Sequence, residues 1–218
     1  MATQRIRVWD LPTRLFHWLL VALIAAAVIS VKIGGNAMDW HGRFGLAILG
    51  LLAFRLTWGF LGSSHARFAS FFPTPSSVQA YLRGEWRGVG HNPLGAFSVF
   101  GMLALIIVQF STGLFANDDI AFDGPLRRLV SKELSDQLTG IHKLSIKFLI
   151  ALIVLHLAAI AFYAVVKKDR LVGPMITGWK DVEAGHGESA SGGGPLAFIV
   201  ALLFALAAVY AASGVWIG

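Results

Sequence analysis

No cysteine occurs anywhere in the 218 residues. That absence removes disulfides, thiolate zinc sites, cysteine-ligated iron–sulfur clusters and any thioether-linked cofactor. Charge is scarce as well: 14% of residues are charged, against about 25% in a soluble domain. Acidic residues number twelve, and none falls within the five longest apolar runs. A proton or cation relay through those runs would have no carboxylate to use. No internal repeat stands out, and no basic patch is set apart from an apolar run. The formal charge of +6 therefore argues for membrane topology and lipid headgroup contact, and against nucleic acid.

What the chain has in abundance is apolar surface: 56% of residues are hydrophobic and the mean hydropathy is +0.68. Five stretches, roughly 14–33, 41–61, 94–116, 141–166 and 195–217, reach the ~20 residues that cross a bilayer core as helix. They predict an all-α integral membrane protein, because a helix satisfies its own backbone in lipid. If the N-terminus is cytoplasmic, Arg5, Arg7, Arg14, Arg55, Arg67, Arg83, Arg87, Lys167, Lys168, Arg170 and Lys180 lie on that side. Lys32, Arg43, Arg127, Arg128, Lys132, Lys143 and Lys147 lie on the other. This bias predicts a cytoplasmic N-terminus and an outward C-terminus. The first run and its basic flank have the outline of a signal peptide, but the cleavage pattern is weak and the run reads as retained.

The connections differ in character. Residues 34–40 form a tight turn, and 62–93 form a longer loop broken by Pro73 and Pro75. Residues 117–140 open acidic, at Asp118, Asp119 and Asp123. Leu126, Leu129, Val130, Leu134 and Leu138 then recur at helical spacing, which predicts an amphipathic surface helix. Residues 176–194 contain ESASGGGP and read as a flexible Gly/Ser-rich linker into the last span.

Of the seven histidines, His65, His91 and His186 read individually as ordinary polar residues. His17, His41, His142 and His156 lie in or at the ends of spans, where an ionisable side chain is costly and marks function. Fourteen residues separate His142 from His156. Along a helix that is about 21 Å, with a return to within about 40° of the same face. One helix thus presents imidazoles at two depths. His41 falls at the upper depth and His17, more coarsely, at the lower. Two candidate pairs result, His41 with His142 and His17 with His156, each able to grip a flat cofactor from both sides. A haem iron with two axial imidazoles meets that demand. Zinc fits less well, since two histidines per level leave a tetrahedral site short of ligands.

The segments VWDLPTRLFHWLL, WHGRFGLAILGLLAFRLTWGFLGSSHARF, GHNPLGA and TGIHKLSIKFLIALIVLHLAAI resemble the bacterial cytochrome b561 family. That family includes the b-type cytochrome subunits of nickel–iron hydrogenases. The resemblance implies a four-helix haem-binding bundle over residues 1–175, to which 195–217 adds a fifth transmembrane helix. It places the haem ligands on His17, His41, His142 and His156, with two non-covalent haem b groups, the outer between His41 and His142 and the inner between His17 and His156. It further implies electron transfer between the quinone pool and a redox partner. In a bacterial inner membrane that partner would be periplasmic, a c-type cytochrome or a hydrogenase, and the chain an electron-transfer component of a quinol:acceptor oxidoreductase.

Other residues carry two readings each. Arg14, Arg43, Arg55 and Lys143 are candidate partners for haem propionates, or cations snorkelling to headgroups. His91 and Asn92, with Arg14 as neighbour, are candidates to bind quinone, or a helix cap. Gly42, Gly45 and Gly50 suit close approach of a macrocycle or of another helix. Trp9, Trp18, Trp40, Trp58 and Phe71 read as interfacial belt residues. The 117–140 loop, next to His142, is a candidate docking surface for the partner. Two other functions compete, a histidine-relay transporter and a haem-free membrane anchor; a visible spectrum separates both from a cytochrome.

Overall fold

A computed structural model describes residues 2–120 and 122–217. In chain order the elements are strand β1 (Thr3–Arg7), helices α1 (Leu11–Ile33), α2 (Ala37–Leu61), α3 (Phe68–Phe71), α4 (Pro75–Leu82), α5 (Pro93–Gly113), α6 (Lys132–Val165) and α7 (Val172–Thr177), strand β2 (Trp179–Glu183) and helix α8 (Pro195–Ala212). Among the described residues five helices, α1, α2, α5, α6 and α8, are long and apolar enough to cross a membrane. Their side chains bear this out: Phe148, Val154, Leu155 and Leu157 of α6 all stand exposed, a surface that suits lipid and not water. The chain is an all-α integral membrane protein, with one two-stranded ribbon among the described residues.

The chain gathers into two compact units, one of residues 1–15, 56–102 and 152–200, the other of residues 16–55, 103–151 and 201–218. In the first, β1 and β2 pair antiparallel, from Thr3 opposite Glu183 to Arg7 opposite Trp179. Strands that pair lie on one side of a membrane, so an even number of crossings must separate them. Four of the five candidate spans do so. Ile6, Val8 and Trp9 form a buried cluster against Val89, Met175 and Val182. Asp10 caps α1: one carboxylate oxygen accepts the Thr13 N–H at 2.6 Å, and the other accepts from Trp58 Nε1 at 3.1 Å and from the Ser63 hydroxyl. That cap starts the helix at Leu11. In the 62–93 loop, Pro75 sits at the first position of α4, and Thr74 caps it through the Ser77 N–H.

The expected flexible linker is a correction. Residues 176–194 are pinned along most of their length. Besides the ribbon, the Gly178 carbonyl accepts the N–H groups of Val8 and Trp9, Ala190 donates to the Arg7 carbonyl at 2.7 Å, and Ser63 and Gly192 form a β-bridge. The glycines here serve turns that need positive φ, at Gly178, Gly185, Gly187, Gly192 and Gly193. Composition signalled freedom, and backbone pairing with the N-terminal segment removes it.

In the second unit the expected separate surface helix over 126–138 is also corrected. A 3-10 turn covers Arg127–Leu129, and the rest is the opening of α6, which begins at Lys132 and not near 141. Ser131 caps it by accepting the Leu134 N–H at 3.2 Å. Gly140 alone, at a cost of about 1 kcal/mol, cannot break so long a helix. Asn117 staples the preceding loop to α6, donating to Ser135 Oγ at 2.6 Å and to Asp136 Oδ1 at 2.9 Å. Helix α8 buries Ala201, Ala205 and Ala212, and a Cβ on Gly50 of α2 would stand 2.8 Å from Val209. Gly50 therefore serves helix contact.

Candidate functional site

His41 sits one turn into α2 and His142 two to three turns into α6. Their ring centroids are 6.1 Å apart and their planes stand at 90°. A metal held between two imidazoles at about 2.0 Å per bond, with each ring centre about 1.1 Å behind its nitrogen, puts the centroids roughly 6 Å apart. The observed separation fits. Each Nδ1 faces a backbone carbonyl, His41 that of Ala27 at 3.0 Å and His142 that of Gln109 at 2.8 Å. A carbonyl only accepts, so each Nδ1 carries the proton and each Nε2 keeps its lone pair. That is the tautomer a metal ligand needs, with the orienting bond already made.

Both rings line a cavity of about 450 Å³, within the range that holds a large ligand. Its walls are mostly apolar, with Ile24, Val28, Leu46, Ile106 and Phe110 among them. Two glycines make room for its contents. At Gly45, which lines it, a Cβ would meet nothing within 4 Å. At Gly113 a Cβ would press on the His142 ring, 2.8 Å from Cε1. Lys32, Lys143 and Lys147 also line the cavity and supply cations for a ligand with carboxylates. An apolar slot with two opposed, pre-oriented imidazoles and lysines at its wall fits a haem.

The remaining sequence candidates fall as follows. Arg43 lies over the Trp40 ring, 4.8 Å from its centroid. Arg55 is buried, only 3% exposed, with its guanidinium 6.0 Å over Phe16. His17, half-buried on α1, meets Trp18 edge-on at 5.1 Å, and half-buried His156 lies on α6 with His142. Arg14 donates to the Ile176 carbonyl. Asn92 caps α5, accepting the Gly95 N–H at 2.8 Å, and its amide donates to the Tyr163 hydroxyl at 2.8 Å. His91 lies between Trp9 and Phe71, at centroid distances of 4.6 and 4.5 Å. With His65, Arg87, Ser70 and Ser77 it lines a second cavity of about 300 Å³, in the first unit. Among the described residues no cluster of three or more His, Cys, Asp or Glu could hold a bare metal ion.

Sequence reasoning missed Lys32, Lys147 and above all Gln109. A glutamine inside an apolar run was the available signal, since a buried amide needs partners. In the acidic loop, Asp118 accepts the N–H groups of Ile120 and Phe122, and Lys132 pairs with Asp119 and Asp136, each at 2.6 Å. Much of that loop's charge is thus spent internally.

Residues 8–178 match the family described as prokaryotic cytochrome b561. The chain is 25% identical over 212 residues to the "Probable Ni/Fe-hydrogenase B-type cytochrome subunit" of Azotobacter vinelandii, covering 79% of this chain and 87% of that relative. It is 21% identical over 217 residues to the "Probable Ni/Fe-hydrogenase 1 B-type cytochrome subunit" of Escherichia coli (strain K12), covering 82% and 92%. No solved structure matches the chain.

Proposed function

The chain belongs to the prokaryotic cytochrome b561 family, and from that premise we propose that it carries electrons across a bacterial inner membrane between the quinone pool and a periplasmic redox partner. Two b-type haems would serve, the outer held by His41 and His142 and the inner by His17 and His156. The observation that carries the reading is the His41–His142 pair, with ring centroids 6.1 Å apart, lining one apolar cavity. When bound, each haem supplies one-electron exchange at its iron. The protein's own part is to hold the rings in one tautomer, keep water from the site with apolar walls, and neutralise carboxylates with Lys32, Lys143 and Lys147.

The inner pair rests on the family resemblance and on the placing of His142 and His156 along one unbroken helix. The quinone headgroup fits the cavity lined by His91, Arg87 and Ser77, where ring stacking and hydrogen-bond donors meet. Asn92 and Arg14 would act there as supports, through α5 and the Ile176 carbonyl. The excess of Lys and Arg on the N-terminal side supports a cytoplasmic N-terminus and a periplasmic C-terminus. The relatives named as hydrogenase subunits make a hydrogenase the leading candidate partner, with a c-type cytochrome second.

A pyridine haemochrome assay on the purified chain tests the core of this reading. Two haems per chain are expected. One haem would remove the inner pair, and a folded, colourless protein would overturn the cytochrome reading altogether.

A further inference from the structure

The outer histidines cross at 90°, and this angle is built by particular neighbours. His41 is fixed by the Ala27 carbonyl. His142 is gripped more elaborately. The Gln109 carbonyl holds its Nδ1 at 2.8 Å, and the Gln109 side-chain nitrogen stands 3.0 Å from its Nε2. One residue of α5 therefore touches both nitrogens of a ring on α6. The carboxamide is itself anchored, because Ser145 donates to its Oε1 at 2.5 Å. One turn along α5, Gly113 leaves room for the edge of the same ring. Gln109 and Gly113, four residues apart on one helix face, make a saddle in which the His142 ring has a single azimuth.

We propose that Gln109, locked by Ser145, is a positioning residue that sets the plane of His142 and so imposes crossed imidazole planes on the outer haem. This rests on the haem reading above. The Nε2 lone pair serves one partner, so the Gln109 amide would yield its bond there to an iron. The Ser145 bond to Oε1 does not involve the ring and stays. The carboxamide then bars rotation by its bulk, while the Gln109 carbonyl keeps the Nδ1 proton. The angle matters electronically. Two parallel imidazoles donate π density into the same iron d orbital and split the d pair. Crossed ones donate into both, leave the pair nearly degenerate, and make the ferric low-spin centre strongly anisotropic. Ring azimuth is thus a lever on the site's potential and spectrum that leaves its ligands unchanged.

Electron paramagnetic resonance of the oxidised full-length chain in membranes tests this, alongside haem content and redox titration. The wild type is expected to show one strongly anisotropic low-spin signal that is lost in His142→Ala. Gln109→Leu frees the ring, and Ser145→Ala unlocks the amide. Each should convert that signal to a rhombic one and shift the outer potential, with haem content unchanged. The larger effect is expected in Gln109→Leu. A wild type without the anisotropic signal overturns the proposal, as does its persistence in Ser145→Ala at full haem content. If Gln109→Leu does not accumulate, Ser145→Ala, which removes a single hydroxyl, decides by the same criterion. A chain with no haem signal at all sinks the cytochrome reading instead, so the two failures are distinguishable.

Discussion

In the second unit His41 and His142 flank an apolar cavity of about 450 Å³, each ring tied at Nδ1 to a helix carbonyl. In the first unit His91 lies between Trp9 and Phe71 at the wall of a cavity of about 300 Å³ whose lining includes Arg87, Ser70 and Glu188. The same residue type is set to different work. Long helices give the first pair fixed directions, and their carbonyls select the tautomer. Loops and aromatic faces give His91 a stacking role and leave its surroundings polar.

The sharpest way to break the comparison is to remove the rings. His142→Ala and His41→Ala should each remove one haem, read by haemochrome assay, whereas His91→Ala should leave the haem content unchanged and slow electron exchange with quinone in membranes. A haem lost in His91→Ala would erase the distinction. Next comes the space itself. Gly45→Phe fills the open side of the larger cavity and should lower outer haem content severalfold while the far-ultraviolet helical signal stays unchanged.

A smaller effect is expected where polar groups hold the first unit together. Asp10→Ala removes a helix cap and leaves the Trp58 N–H and Ser63 hydroxyl without their acceptor. The cost is about 2–4 kcal/mol, seen as a lower thermal midpoint in detergent. The least effect belongs to Lys132→Ala, since Lys132 and both its partners are about half or more exposed. The thermal midpoint should hardly move.

The apolar runs and the four span histidines were legible in the sequence because hydropathy and a 14-residue spacing are properties of single segments. The pairing of His41 with His142, whose rings the structure brings together, was proposed from them. Gln109 could not, because its importance lies in two contacts with a helix more than 30 residues away. The ribbon was hidden for a related reason. TQRIR and WKDVE are short, mixed in polarity and separated by most of the chain, so neither announces a strand alone. The start of α6 was misplaced because Leu134 and Leu138 suit an amphipathic helix, while the continuity through Gly140 depends on the Ser131 cap and the Asn117 staple. Composition likewise misread 176–194, since glycine permits both disorder and a tightly fixed turn.

The ribbon also sets a schedule for biogenesis. Residues 3–7 leave the ribosome well before their partner strand at 179–183, which is made only after four helices have been synthesised. At bacterial elongation rates of about 5–20 residues per second, roughly 9–35 s pass between the two. Throughout that interval the N-terminal strand must wait, unpaired, on the face where it will finish. Its closure is therefore a late checkpoint, and a chain that inserts one helix too few presents its second strand to the wrong compartment.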